Sequence, residues 1–317
     1  MTESTHCPIR VAVVGVGNVG ASFAFALMLN GLATEIVLID ANHAKAEGEA
    51  MDLTHAVPLS NPARIWAGDY SDCAGAVVTV ITAGSAQRPG ETRLDLCTRN
   101  AAIFKQIIPQ VVKHNPGGII LIATNPVDIL SYYSWKISGL PHQRVIGSGT
   151  ILDTARFRAL LSQKYDVDPR SVHAYIIGEH GDSEVPVWSL ANIAGMRLPV
   201  FCEQNGMGCQ DDDLSDIYTQ TRDAAYHIIE RKGSTYYAIA AGLLRLCEAI
   251  IRDQGTVLSA SNHIDNYYGI NDIYLSLPCI IDRGGVERML RLELAPEEIR
   301  GVQNSAQVLK KLADQLL

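Results

Sequence analysis

A histidine bracketed by glycines follows a short apolar run in Tyr175-Ile-Ile-Gly178-Glu-His180-Gly181-Asp182. Imidazole is the side chain that gains and loses a proton near neutral pH. Glycines on either side leave room for the backbone to approach a ligand. Asp153-Thr-Ala-Arg156 falls in a segment of helical character. The i, i+3 spacing puts carboxylate and guanidinium on one helix face. Asp153 could orient the His180 ring and raise its basicity, as in any histidine–carboxylate pair. Alone, Asp153 and Arg156 could equally be a surface ion pair of little energetic worth. A lone histidine is more often structural than catalytic; the glycine bracket and the available carboxylate favour catalysis here.

A second constellation would bind rather than react. Val11-Ala-Val-Val-Gly15-Val-Gly17-Asn-Val-Gly20 passes from an apolar run through G-x-G-x-x-G into a helical segment. Gly15 serves the tight turn, Gly17 admits a pyrophosphate to the backbone, and Gly20 lets helix and strand pack closely. The helix N-terminus then faces the phosphates. Twenty residues after Gly20, Asp40 ends the run Glu35-Ile-Val-Leu-Ile-Asp40. A carboxylate there accepts from both ribose hydroxyls and repels a 2′-phosphate, and no arginine follows closely, so NAD is expected over NADP. Taken singly, Asp40 could be a turn residue. Thr82-Ala83-Gly84 and Ala123-Thr124-Asn125 close two further apolar runs, where ligands of open α/β sheets sit. Gly84-Ser-Ala-Gln87-Arg88-Pro89-Gly90-Glu-Thr-Arg93 is a polar loop with glycines at its ends, suited to a lid.

The apolar pattern supplies a scaffold for these groups. Runs at 9–14, 35–39, 76–81 and 118–123 predict buried strands, with helices at 19–30, 44–55 and 95–114 between them. That alternation predicts an α/β fold with a Rossmann-type, doubly wound parallel sheet. The character changes at Gly147-Ser148-Gly149-Thr150. Beyond it the pattern predicts a helix at 151–165, a strand at 172–177, helices at 211–230 and 233–253, and strands at 256–260 and 275–281. A final helix opens at Ala295-Pro296-Glu297-Glu298, with proline and acids in its first turn. The expected organisation is a dinucleotide-binding domain over 1–147 and an α+β substrate domain over 148–317.

Composition narrows the function classes. The 317 residues are 47% hydrophobic and 19% charged, which excludes a disordered chain. No apolar stretch reaches the length of a membrane span and the first ten residues hold no signal-peptide core, so a cytoplasmic protein without membrane partners is expected. The net charge of −8, without a basic run, argues against nucleic acid. Seven scattered cysteines without C-x-x-C suggest reduced thiols, and no cluster has metal-ligand spacing.

The segments GxGNVG, ITAG…RPGETRLDL, ATNPVD, GSGTILDTARFR and VHAYIIGEHGDSEVPVW together give a chain that resembles the lactate/malate dehydrogenase family, from Val11 to the C-terminal helix. Within it the resemblance is to the bacterial allosteric L-lactate branch. It implies that His180 exchanges a proton with the substrate oxygen, paired with Asp153. It implies that Arg156 grips the substrate carboxylate and that Arg93 polarises the carbonyl when the lid closes. Gln87, Asn125, Asp128 and Thr235 are implied substrate-site residues. Val19, Lys45, Tyr70, Ser85 and Ser148 join Gly15, Gly17, Gly20, Asp40, Thr82, Ala83, Gly84, Ala123, Thr124 and Asn125 as implied NAD-site residues.

In this family the lid residue before Arg88 separates substrates: glutamine in lactate-type members, arginine in malate-type members. Here it is Gln87, and Thr235 also fits the lactate pattern. A neutral side chain leaves the second carboxylate of a dicarboxylate uncompensated in a closed site. The implied reaction is reduction of pyruvate to L-lactate; a one-residue shift presenting Arg88 would imply oxaloacetate instead. Arg158 and His173 match positions that bind fructose 1,6-bisphosphate in allosteric members. At ~100° per residue Arg158 lies about 200° round the helix from Arg156 and serves another face. An ion pair of Arg158 with Asp166 or Asp168 is the alternative. The family's tetramers imply a homotetramer. A non-catalytic NAD-binding protein is the competing class, and the joint presence of His180, Asp153, Arg93 and Arg156 argues against it.

Overall fold

The computed structural model describes residues 8–86 and 90–316. Six parallel strands form the first half: β1 (Arg10–Val14), β2 (Glu35–Ile39), β3 (Arg64–Ala67), β4 (Ala76–Ile81), β5 (Ile119–Ile122) and β6 (Val145–Gly147). Their spatial order is β3-β2-β1-β4-β5-β6. The chain therefore reverses its direction of travel between β1 and β4, which opens a crevice at their carboxyl ends. Four helices cover the faces: α1 (Asn18–Asn30), α2 (His43–Ala56), α3 (Arg93–His114) and α4 (Val127–Ser138). Covered on both sides, β1, β2, β4 and β5 are buried almost end to end, which explains their unbroken Val/Ile runs. Two short strands, β3 and β6, are missing from the sequence reading; unlike the four apolar residues of β5, Arg64–Ala67 and Val145–Gly147 carry too little pattern.

The second half holds α5 (Ile151–Tyr165), β7 (Val172–His173), β8 (Ile176–Ile177), β9 (Val185–Pro186), β10 (Asn192–Ile193), β11 (Met196–Arg197), α6 (Leu198–Gln204), α7 (Asp211–Lys232) and α8 (Tyr237–Ile251). It ends with β12 (Thr256–Ile264), β13 (Ile273–Asp282), β14 (Gly285–Met289) and α9 (Pro296–Leu316). The strand expected at 172–177 is two pieces in separate sheets. Side chains break it: Thr154 Oγ1 accepts from Ile176 N at 3.0 Å, while Thr150 and Ser259 donate to Ile176 O at 2.6 and 3.0 Å. The antiparallel meander β12-β13-β14 does not stand apart. It continues the first sheet, through the antiparallel pairing of Ser261 with Gly147 on β6, into nine strands.

One hydrophobic core joins the halves. Val11 and Val13 of β1, Phe23 and Leu27 of α1, and Leu243, Leu246 and Ile250 of α8 are buried in one cluster. The crevice above β1 and β4 is thereby fixed against the second half. No helix among the described residues is long and apolar enough to cross a membrane.

Candidate active site

The glycine-rich turn is built as the motif requires. Gly15 adopts φ +96°, and a Cβ there would lie 2.4 Å from Ala83 N. A Cβ on Gly20 would lie 2.0 Å from Gly15 O, so the α1–β1 approach tolerates only glycine. A Cβ on Gly17 meets nothing within 4 Å, which leaves an open approach at the N-terminus of α1. Gly17 is also the N-cap of α1 and supplies no side chain to its free N–H groups. That is the cradle a pyrophosphate needs. Asp40 accepts from Val16 N at 2.8 Å and from Asn42 N at 2.9 Å, so it ties the turn to the end of β2. Thr82 Oγ1 donates to Gly15 O at 2.5 Å. Gly84 stands against Thr124, where a Cβ would lie 2.3 Å from Cγ2. Lys45 lies in the first turn of α2, its N–H bonded to Asn42, and Tyr70 is half-buried against the core cluster that includes Ile39 and Phe104.

His180 and Asp153 meet, from segments 27 residues apart, with Nδ1–Oδ2 at 2.5 Å. Asp153 sits in the first turn of α5, where a negative charge complements the helix dipole. Its Oδ1 accepts from Arg156 Nη1 at 2.9 Å, confirming that the two share a face. Its side chain is only 3% exposed, whereas that of His180 is 23% exposed and reaches the cavity. Burial alone would lower the His180 pKa. The Asp153 charge and hydrogen bond outweigh it, with help from Asp128 and Glu184, and raise the value to about 9. Burial likewise opposes ionisation of Asp153, but His180 and Arg156 prevail and hold its carboxyl below the usual carboxylate range. Asp128, one of the implied substrate-site residues, is buried beside the histidine, where Oδ2 accepts His180 N–H at 2.7 Å. Burial pushes Asp128 up to about 6, against hydrogen bonds from Ser261 and His180.

Two adjoining cavities converge on these groups. One, of about 400 Å³, is lined by Arg93, Asn125, Asp153, Arg156 and His180. The other, of about 140 Å³, shares Asn125, Arg156 and His180 and adds Val19, Ser148 and Thr235. The second, through Val19 of α1 and Ala123 after β5, lies on the side of the glycine-rich turn. Gln87 lies outside the described residues, as does Arg88.

Three residues passed over in the sequence complete the site. Asn100, fully buried on α3, accepts from Ser85 N at 2.8 Å and donates to Asn125 O at 2.8 Å, joining the lid base to the cavity wall. Glu179, itself buried, forms an ion pair with the partly exposed Arg93. Glu184 lines the larger cavity, is 5% exposed, and its Oε1 has no hydrogen-bond partner. Burial, then the neighbouring Asp153 charge, push it up to about 8. Cys97, on α3 near the site, is no rival nucleophile: it is buried and its thiol is pushed up to about 11 by burial. Among the described residues no group of three or more His, Cys, Asp or Glu is placed to hold a metal.

Arg158 turns away from Arg156, as its spacing on α5 predicts. Its Nε donates to Ala174 O at 2.9 Å and its guanidinium lies 5.1 Å from the Tyr175 ring centre. The alternative pairing with Asp168 is not formed, because Asp168 binds Arg170 at 2.7 Å. Arg158 lines a separate cavity with Arg170 and Arg245, and His173 stands exposed on β7.

A dinucleotide cradle facing a carboxylate-backed histidine and two arginines defines a nicotinamide-dependent dehydrogenase. Family comparison agrees: residues 9–147 match the lactate/malate dehydrogenase NAD binding domain, and residues 150–317 match the alpha/beta C-terminal domain of the same family. The chain is 52% identical over 313 residues to an L-lactate dehydrogenase of Priestia megaterium, spanning 99% of this chain and 98% of that one. It is 54% identical to an L-lactate dehydrogenase of Geobacillus thermodenitrificans, spanning 95% of each. The crystal structure of a minor L-lactate dehydrogenase from Enterococcus mundtii superposes with TM-score 0.95 at 42% identity, over 98% of this chain and 99% of that one. The protein belongs to the lactate/malate dehydrogenase family, and its cofactor is NAD.

Proposed function

We propose that this enzyme reversibly reduces pyruvate to L-lactate with NADH. The observation that carries the reading is the His180–Asp153–Arg156 chain opening into a cavity shared by the substrate and dinucleotide sides. The relatives named above are L-lactate dehydrogenases, and Gln87 supplies no charge for a second carboxylate.

Arg156 binds the 2-oxo acid carboxylate, since its planar fork matches that anion. Asp153 holds Arg156 in place from the same helix face. His180, protonated at neutral pH, faces the ketone oxygen and gives up its proton as the alcohol forms. Asp153 keeps the ring oriented and supports its charge until that moment. Arg93 and Asn125 polarise the same oxygen. The nicotinamide supplies the hydride when bound. In the reverse direction neutral His180 accepts the hydroxyl proton of lactate.

The separate cluster of Arg158, Arg170 and Arg245 supports regulation by a bisphosphate such as fructose 1,6-bisphosphate. Exposed His173 would join Arg158 if a second subunit brought the two surfaces together. A homotetramer fits the large apolar side chains that a single chain leaves exposed, among them Phe25 and Leu29 on α1 and Met51 on α2.

The test is NADH oxidation at 340 nm with pyruvate and oxaloacetate in parallel, with and without fructose 1,6-bisphosphate. Pyruvate preference supports the lactate reading. Oxaloacetate preference overturns it and assigns the specificity position to Arg88. Effector activation that survives Arg158→Gln removes Arg158 from the regulatory site.

A further inference from the structure

Arg93 opens α3, and its backbone is fixed by a reciprocal cap: Asp95 N donates to Thr92 Oγ1 at 3.2 Å, and Thr92 N donates to Asp95 Oδ2 at 3.1 Å. A fixed backbone still leaves a long side chain free to wander, and Arg93 is 35% exposed. What aims it is Glu179. Arg93 Nη2 contacts Glu179 Oε1, and Glu179 is 1% exposed. Ser183 Oγ donates to the other carboxylate oxygen, and Glu179 N donates to Ser305 Oγ at 2.6 Å. Ser183 therefore holds one carboxylate oxygen and Ser305 holds the backbone of the same residue, leaving Oε1 to face Arg93. Gly181 clears the path: a Cβ there would lie 2.4 Å from Arg93 Nη2.

We infer that Glu179 is a positioning residue for Arg93, doing for the lid arginine what Asp153 does for His180. Glu179 is bonded directly to His180, so one segment, 179–181, places the proton donor and aims the polarising cation. Oε1 has no hydrogen-bond donor aligned on it, and Arg93 is the cation in contact with it; without Arg93 the buried charge would be left uncompensated. This rests on the reading of Arg93 given above.

The experiment is a double-mutant cycle of Glu179→Gln and Arg93→Gln, following kcat and KM for pyruvate and NADH binding by fluorescence. Glu179→Gln lowers kcat about 10- to 100-fold, the cost of misplacing one catalytic group. NADH affinity stays within about twofold, because Glu179 lines neither cavity. In the Arg93→Gln background the same substitution costs little more. Glu179→Asp, which keeps the charge but shortens the reach, shows the same dependence on Arg93 and serves if the glutamine variant does not fold. An equal loss with and without Arg93, or an alkaline limb of the kcat profile displaced from that of the wild type, shows action through His180 and overturns the proposal. Unchanged or raised kcat in Glu179→Gln makes the ion pair a resting contact and also overturns it. Wild-type kcat in Arg93→Gln sinks the prior assignment of Arg93 instead.

Discussion

Replacing Asp153 by asparagine keeps the shape of the site and removes the charge that holds the His180 proton. The wild-type imidazole titrates at about 9 only because the Asp153 carboxylate, 2.5 Å from Nδ1, overcomes the burial that would lower it. Without that charge the value drops to the ordinary imidazole value of about 6.5 or below. The difference corresponds to roughly 3 kcal/mol of proton affinity. At pH 7.5 a group titrating at about 9 is about 97% protonated, and one at about 6.5 is about 9% protonated. The kcat for pyruvate reduction should therefore fall at least about tenfold at pH 7.5. It should recover most of that loss near pH 5.5, where both forms are protonated. Arg156 also loses its partner, so the pyruvate KM rises at every pH and does not share the recovery. The assay is the steady-state pH profile at saturating NADH, with kcat and KM resolved separately. A kcat deficit that stays constant from pH 5.5 to 8.5 refutes the reasoning: Asp153 would then act by geometry alone.

Gln87→Arg should shift the oxaloacetate-to-pyruvate ratio of kcat/KM by about 100-fold towards oxaloacetate, since it supplies the missing cation; no shift means that another lid residue faces the substrate. Glu184 is uncharged at neutral pH and ionises near pH 8 beside Asp153 and Arg156, where it opposes an incoming carboxylate. The pyruvate KM should climb above pH 8, and Glu184→Gln should flatten that climb; an identical climb in both proteins refutes the assignment. Because the folded value of His180 is raised, its pairing stabilises the fold fully below about pH 6.5 and loses that effect as pH rises through about 9. The Tm gap between wild type and His180→Asn should shrink between pH 6.5 and 9.5; a constant gap excludes the linkage.

The sequence was most legible where function depends on local spacing. The glycine turn, Asp40 at the end of β2, and the shared face of Asp153 and Arg156 all follow from periodicity along one element, and each stands where that periodicity predicts. The separation of Arg158 from Arg156 has the same origin. Legibility fails where a role depends on which distant segment arrives opposite. The fate of the 172–177 run was decided by Thr150 at the N-cap of α5, Thr154 on α5 and a serine on β12, 109 residues apart in the Thr150–Ser259 contact. Asp128 has the sequence position of a substrate ligand, but the chain brings the His180 backbone onto it, and one buried carboxylate oxygen is spent on that N–H. Glu179 is the clearest case. Beside His180 it reads as an ordinary acidic neighbour, because the arginine that makes it meaningful is 86 residues earlier and reaches it only from the first turn of the folded α3. The missed residues share a signature: each is a polar side chain at or below 5% exposure beside a catalytic group. Burying a charge or an amide is costly unless the fold supplies its partner. Asn100 and Glu179 have theirs, in Asn125 and Arg93, and Glu184 meets the cost by holding a proton. Such groups persist only where a neighbour requires them, and here the neighbours are the residues that face the substrate.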